Sequence, residues 1–435
     1  MTADEAVRFV EERDRLGMRF GLDRMRLLLG RLGDPQRGRP AIHVVGTNGK
    51  SSTTRFAAAV MGAAGRRVGA YVSPHVVDWR ERIQIDGVAI SEEAFAEAVG
   101  EVAAAAEGMD DDPVTQFEVL TAAAFTAFAR ADVECMVVEA GLGGRYDASN
   151  VLDDAVVVLT NVSREHTDLL GDTEREIAAE KLAVVPDGGE RLVIGPLTPA
   201  AQDAVRAIVR ERGLSAWWAG TDVLLTAQGD EAEVATPRAR YRLDAAGRPA
   251  YQLWNMALAV AAGERRLGAP PPQDAVRTAV AAVDTPGRFE VIPGEPTVIL
   301  DGAHNPAAME ALAADLPEAR PLVAVLSVLR DKDLDAMLAP LAGRVDRIVA
   351  TASTNARVLP ADELHRAVAR KGMTVETVEH PVDAVARARQ LAGPSGVVIV
   401  CGSLYLLTDV RGQAIHRTGS PPGKLARETP GNGRN

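Results

Sequence analysis

Residues 41–65 read AIHVVGTNGKSSTTRFAAAVMGAAG, and this stretch decides the fold. A short strand-like run, AIHVV, gives way at Gly46 to Thr47-Asn48-Gly49-Lys50-Ser51-Ser52, and a helical pattern begins at once. The glycines let the backbone turn sharply, so that successive N–H groups face inward as a nest for phosphate oxygens. The helix that follows adds its positive N-terminal end, and Lys50 supplies a point charge. Ser51 or Ser52 is placed to reach a magnesium ion bridging the phosphates. The strict pattern G-x-x-x-x-G-K-[ST] needs glycine at position 44, which is Val44, so the loop is a shortened variant.

Outward from this loop, apolar runs of strand length alternate with helical patterns. CMVVEA (135–140), AVVVLTNV (155–162) and RLVIG (191–195) are nearly unbroken and rich in β-branched residues. Such strands, separated by helices, predict a parallel sheet covered on both faces. In SEEAFAEAVGEVAAAA (91–106), Ser91 suits the N-cap, and Phe95, Val99, Val102 and Ala106 share one face. The pattern restarts with TVILD (297–301), PLVAVLSV (321–328), RIVATA (347–352) and VVIVCGS (397–403), after TPGRFEVIPGEP (285–296), where proline and glycine concentrate. The fold class is therefore α/β. An N-terminal, phosphate-loop-type, mostly parallel sheet domain over 1–287 is followed by a smaller Rossmann-like α/β domain over 288–417. Residues 418–435 have little to bury and read as a disordered tail.

Composition narrows the partners. Across 435 residues, 48 basic and 60 acidic side chains give a formal charge of −12, which offers no global attraction to nucleic acid or an anionic membrane. The acidic N-terminus lacks the pattern of a signal peptide, and no apolar run spans a bilayer. Cys135 and Cys401 both sit in apolar runs and read as buried, inert thiols. A cytoplasmic, reduced protein is expected, acting as a monomer on small molecules.

GTNGK-[ST] after a strand resembles the ATP loop of the Mur ligase superfamily. The flanks resemble its folylpolyglutamate synthase/dihydrofolate synthase branch. These are LDRMRLLLGRLGDP (22–35), YVSPH (71–75), ERIQIDG (81–87), TQFEVLTAAAFTAF (115–128), EAGLGGRYDASN (139–150) and EHTDLLGDTEREIAAEK (165–181). PGRFE (286–290), DGAHNP (301–306), DKD (331–333) and GSLYL (402–406) complete an ordered match over nearly the whole chain. The resemblance implies an ATP- and Mg²⁺-dependent ligase. It would add L-glutamate to a folate or to dihydropteroate through an acyl phosphate, with ATP and pterin on the first domain and glutamate on the second. Another amino-acid ligase of the superfamily, or a degenerate nucleotide-binding protein, is the alternative; intact Lys50, Glu139, His166 and Asp301 speak against degeneracy.

Residue by residue, Glu139 ends a buried strand opposite the loop, where α/β enzymes hold magnesium. His166 alone reads equally as a loop histidine; the resemblance groups it with Ser73 and Glu139 as metal ligands. Lys181 lies where the family carries a carbamylated lysine, and otherwise reads as a helix-end cation. The resemblance assigns Lys50, Lys181 and His166 to catalysis, and directs Asn255, Arg288 and Asp301 to ATP beside Thr47, Asn48, Gly49, Ser51 and Ser52. Asn255 also suits a helix–helix contact, and Arg288 a salt bridge. Phe117 and Asp147 match pterin-cradling positions, although Phe117 also suits core packing. In DGAHNPAAMEALAADL, Asn305 can cap a helix and Pro306 can begin it, above a stripe of Met309, Leu312, Ala313 and Leu316. His304 and Ser403 are expected to hold the incoming glutamate, or else to stabilise their turns.

Overall fold

The computed structural model describes residues 1–13, 19–109, 111–186 and 191–416; the tail expected at 418–435 lies outside them. The chain forms two units, Met1–Arg288 and the residues from Phe289 onward. Arg288, expected on the second domain, thus closes the first unit.

In the first unit the strands are β1 (Ala41–Val45), β2 (Val68–Tyr71), β3 (Ile83–Ile85), β4 (Val88–Ala89), β5 (Cys135–Glu139), β6 (Ala155–Leu159), β7 (Leu192–Ile194) and β8 (Ala216–Trp218). They make one sheet in the order β4-β3-β2-β5-β1-β6-β7-β8, parallel from β2 to β8. β3 and β4 add antiparallel to one edge. Every residue of β1, β5 and β6 is buried, as strands covered on both faces require. Alternate side chains divide between the faces. Ile42, Val44 and Val137 pack with helices Lys50–Ala63 and Ala250–Leu267, while Ala41, Met136 and Val138 pack with Glu92–Ala105 and Gln116–Arg130.

An antiparallel sheet absent from the sequence reading, β9 (Leu224–Gln228), β10 (Glu231–Ala235) and β11 (Arg240–Asp244), adds its inner face to the first of these cores. β10 and β11 are buried only on alternate residues and β9 on none, so the sheet lacks the unbroken apolar runs that identified the other strands.

In the second unit β12 (Glu290–Ile292), β13 (Thr297–Leu300), β14 (Leu322–Leu326), β15 (Arg347–Ala350), β16 (Val375–Thr377) and β17 (Val397–Cys401) form a sheet in the order β12-β13-β17-β14-β15-β16. It is parallel except for β12. Here the helix Pro306–Ala314 follows its sequence: Asn305 Oδ1 accepts from Ala308 N at 2.9 Å, and Met309, Leu312, Ala313 and Leu316 are buried. Ser91 caps Glu92–Ala105 in the same way, through Ala94 N at 3.1 Å. Both cysteines are buried, and burial pushes the Cys135 thiol up to about 12.

Two of the quoted stretches, 22–35 and 115–128, meet in one buried ion pair. Arg24 Nε donates to Glu118 Oε2 at 2.8 Å, and Glu118 also accepts from Thr115 N at 2.7 Å, closing a capping box on Gln116–Arg130. Side-chain exposures of 6% and 5% leave no water to replace a lost partner. Glu118→Ala is therefore expected to cost about 3–5 kcal/mol in denaturant unfolding, because it removes the buried partner of the guanidinium, leaving it only the exposed Asp112 at 2.9 Å as a carboxylate partner, and breaks the capping box as well. A loss below about 1 kcal/mol would contradict this account of the pair.

Candidate active site

β1 lies between β5 and β6, so the loop leaving β1 emerges at the centre of the sheet, beside the ends of both neighbours. That placement fixes the loop from two sides. On the β6 side, Asn161 Oδ1 accepts from Asn48 N at 2.9 Å, while Asn161 Nδ2 and Thr160 Oγ1 donate to Asn48 O at 3.1 and 2.7 Å. Thr47 Oγ1 accepts from Ser163 N at 3.1 Å. Gly46, at φ 148°, passes so close to Thr160 that a Cβ there would overlap its hydroxyl. Gly49, at φ 81°, is the left-handed N-cap of the 14-residue helix Lys50–Ala63. A Cβ on Gly49 would stand 2.5 Å from Asn255 Oδ1. Asn255 is buried against the loop, with Thr53 Oγ1 donating to its Oδ1 at 3.3 Å.

The two serines separate. Ser52 is buried and accepts from Gln252 Nε2 at 3.2 Å; the same amide nitrogen donates to Arg288 O at 3.2 Å. Ser51 Oγ instead donates to Glu139 Oε1 at 2.9 Å and lies 3.1 Å from Ser73 O. Ser73 N donates to Glu139 Oε2 at 2.8 Å. Glu139, at the end of β5, is 1% exposed; burial raises its pKa, opposed by the Lys50 charge, these hydrogen bonds and the Arg288 charge. Lys50 Nζ donates to Gly46 O and Thr47 O, each at 3.0 Å.

A second lysine reaches the same loop from below. Lys181 is 1% exposed, and its Nζ donates to Gly46 O at 2.9 Å and lies 3.6 Å from Glu165 Oε1. Burial is the main cause that lowers its pKa from 10.5 to about 8. His166, next to Glu165, is exposed and caps the short helix Thr167–Leu170 at φ 48°.

Phe117 and Asp147 both belong to the surroundings of the 139–150 loop. The Phe117 ring lies over Gly141, where a Cβ would come within 2.6 Å, and 5.9 Å from the Tyr71 ring centroid. Asp147 is buried and holds the loop itself: Leu142 N and Ser149 N donate to it at 2.9 and 3.0 Å, and Ser149 Oγ donates as well. Ser149 Oγ also meets His43 Nε2 at 2.8 Å.

Asp301, His304 and Ser403 gather at neighbouring strand ends of the second unit. Asp301 Oδ2 accepts from Phe289 N and Oδ1 from Ala303 N, each at 2.8 Å. His304 Nδ1 lies 2.8 Å from Gly302 O; a carbonyl only accepts, so this nitrogen carries the proton. Ser403 Oγ accepts from Tyr405 N at 3.2 Å at the start of the helix Leu404–His416.

Whether a divalent cation fits is decided by these donors. Glu139 and Ser51 offer hard oxygens beside a phosphate nest, the set magnesium takes when substrate phosphates and water complete its shell. Among the described residues no three of His, Cys, Asp and Glu gather to hold a metal unaided. Residues the sequence reading missed are the braces: Thr160, Asn161, Ser163 and Gln252. Asn161 was findable, since it directly follows a strand that a parallel sheet could place beside β1.

Comparison with known proteins agrees with this architecture. The Mur ligase middle domain matches residues 44–263, and the Mur ligase glutamate ligase domain residues 287–404. Dihydrofolate synthase/folylpolyglutamate synthase of Mycobacterium tuberculosis is 35% identical, over 92% of this chain and 86% of its own length. A structure of Mycobacterium tuberculosis folylpolyglutamate synthase complexed with ADP aligns with a TM-score of 0.86 at 34% identity, covering 97% of this chain and 99% of that one. The bifunctional folylpolyglutamate synthase/dihydrofolate synthase of Yersinia pestis, complexed with AMPPNP and a Mn ion, aligns with a TM-score of 0.84 at 29% identity, covering 95% and 98%. The chain is also 35% identical, over 94% of its length, to the "Probable bifunctional folylpolyglutamate synthase/dihydropteroate synthase" of Halobacterium salinarum, but spans only 51% of that relative.

The buried His43 gives the first unit a pH signature. Burial lowers its pKa from 6.5 to about 4, so in this window the unfolded chain binds a proton that the fold excludes. Stability should therefore fall as pH drops from about 6.5 toward 4, and His43→Gln should flatten part of that slope. Urea unfolding of both proteins across this range checks it; identical slopes would contradict the assignment.

Proposed function

The chain belongs to the folylpolyglutamate synthase/dihydrofolate synthase family of Mur ligases, and from that premise we propose that it is an ATP-dependent ligase joining L-glutamate to a folate or dihydropteroate carboxylate. One observation carries the reading: a phosphate nest with Lys50 converges on the buried carboxylate of Glu139 through Ser51. A nucleotide-binding protein without chemistry needs the nest alone.

A carboxylate resists attack by an amine until one of its oxygens becomes a leaving group. In the proposed reaction, a pterin-linked carboxylate oxygen attacks the γ-phosphorus of ATP and ADP departs. The glutamate amine then attacks the acyl carbon, losing a proton, and inorganic phosphate leaves. The loop amides after Gly46 and the Lys50 ammonium hold the phosphoryl oxygens whose charge spreads in the first step. Asn161 and Asn255 keep those groups in place, so little reorganisation is needed when charge moves. Magnesium, held by Ser51 and Glu139, and in this reading also by Ser73 and His166, would neutralise phosphate charge. Arg288 adds a cation in the same unit, and Asp301 remains an ATP candidate by family resemblance.

Lys181 fits the carbamate expected from the family: burial that brings its pKa to about 8 supplies neutral amine, the form that takes up CO₂. Phe117 would offer an aromatic face to a pterin, while Asp147 shapes the loop around it. His304 and Ser403 would receive glutamate. Among the described residues no helix is long and apolar enough to cross a membrane. Two free buried thiols suit the reducing cytoplasm, where a monomer would act on these small molecules.

Purified protein is incubated with ATP, Mg²⁺, L-glutamate and either dihydropteroate or tetrahydrofolate, and phosphate and product mass are measured. Glutamate-dependent phosphate release with at least one pterin is expected, and Lys50→Ala should lower it by roughly 10²–10³-fold. No pterin-dependent release would defeat the folate reading in favour of another amino-acid ligase. Release with only one pterin would define a monofunctional enzyme.

A further inference from the structure

His43 enters the site only as a neighbour of Ser149, and nothing in the proposed chemistry uses it. It is the middle residue of β1, a strand buried throughout, and is itself 1% exposed. It pairs with Val138 of β5 and Val157 of β6, and strand alternation puts it on the face of Ala41, under the helices Glu92–Ala105 and Gln116–Arg130. Packing alone would favour a hydrocarbon there, as at the neighbouring Ile42 and Val44, because a buried polar ring is costly unless it is hydrogen-bonded. Burial keeps the imidazole neutral, its pKa lowered to about 4.

The proton of that ring can be placed. Ser149 is fully buried and donates its Oγ–H to Asp147 Oδ1, so it accepts from His43 Nε2 at 2.8 Å. The direction of the chain is therefore His43 Nε2–H to Ser149 Oγ–H to the Asp147 carboxylate. Asp147 in turn gathers the loop backbone, with Leu142 N donating to its Oδ2 at 2.9 Å and Ser149 N to its Oδ1 at 3.0 Å. Burial pushes the Asp147 carboxyl up, opposed first by the Ser149 hydroxyl and then by the N–H groups of Leu142, Ser149 and Gly141. Gly141 is the residue against which the Phe117 ring lies, at a place where a Cβ would come within 2.6 Å of it. That ring is half-buried and stands 5.9 Å from the Tyr71 ring centroid, so part of its surface remains open. A continuous line of hydrogen bonds thus joins the strand that ends in the phosphate loop to the backbone beneath an open aromatic ring. The outer part of the same loop is fixed separately, Arg145 N donating to Glu180 O at 3.0 Å.

We propose that His43 and Ser149 are positioning residues for the pterin: through Asp147 they hold the 139–150 loop, and with it the Phe117 ring, in place relative to the phosphate loop. This rests on the reading that Phe117 offers its face to a pterin. The reacting carboxylate has to meet the γ-phosphorus in line, so the far end of the substrate must be fixed against the same strand that carries the phosphate nest. In the proposed reaction neither ATP nor glutamate binds along this line of bonds, so breaking it weakens the pterin alone.

Initial rates are measured for the wild type, His43→Leu, Ser149→Ala, the double variant and His43→Gln, each with its melting temperature. The varied substrate is whichever of dihydropteroate and tetrahydrofolate releases phosphate with the wild type. KM for that pterin should rise about five- to tenfold in His43→Leu and in Ser149→Ala, as the loss of about one buried hydrogen bond predicts. KM for ATP and for glutamate should stay within about twofold of wild type. Because both changes break one chain, the double variant should be little worse than the worse single variant. His43→Gln, whose amide can still give an N–H to Ser149, should recover most of the loss. Ser149→Ala removes a single oxygen, so it decides the matter if the larger change at His43 prevents folding. An unchanged pterin KM in a folded Ser149→Ala protein would overturn the proposal. So would parallel rises in all three KM values, or a fully additive double variant, since those follow from separate structural roles. Phe117→Leu tests the parent reading by itself: an unchanged pterin KM there would show that the ring does not meet the pterin.

Discussion

A carboxylate sealed from water at the end of β5 is the constraint around which the first unit is arranged. Glu139 is 1% exposed, and an ionised carboxyl so placed is costly unless partners meet both oxygens. Here Ser51 meets one oxygen and Ser73 the other, so the start of the phosphate-loop helix and the segment after β2 are both drawn to this point. Burial still raises its pKa, and the largest counterweight is the charge of Lys50. Removing that lysine would therefore disturb the carboxylate as well as the phosphate nest.

The second constraint is rigidity. A loop that must hold a phosphoryl group during transfer should not rely on the ligand for its shape. Asn161 binds both the N–H and the C=O of Asn48, and Asn255 closes the space at Gly49 that a side chain would fill. Lys181 ties down Gly46 from another element. The global charge of −12 opposes every anionic substrate in the proposed reaction, so this local collection of amides and ammonium groups has to overcome it.

Much of this was legible because it depends on local chemistry. Unbroken apolar runs gave β1, β5 and β6, and Ser91 and Asn305 gave two helix starts through their own side chains. The short β9–β11 sheet was not legible, since its burial, alternating at most, produces no run. The choice between Ser51 and Ser52 also needed coordinates: they are adjacent on one helix turn, and only packing shows that Gln252 takes Ser52. Asp147 was read through family resemblance as a pterin contact, whereas its hydrogen bonds run inward to Leu142 and Ser149. Asn161 left a signal in following an apolar run, but that β6 lies beside β1 and brings Thr160 and Asn161 onto its loop is seen only in the sheet order.

The central claim is that this loop activates a carboxylate by phosphorylating it. It is tested most directly by following the carboxylate oxygens. Substrate labelled with ¹⁸O in the reacting carboxylate is incubated with the enzyme, ATP, Mg²⁺ and L-glutamate, and the inorganic phosphate is analysed by mass spectrometry. The account expects one ¹⁸O per phosphate released, carried over when the acyl–oxygen bond breaks. Phosphate free of label, with amide product formed, would contradict it.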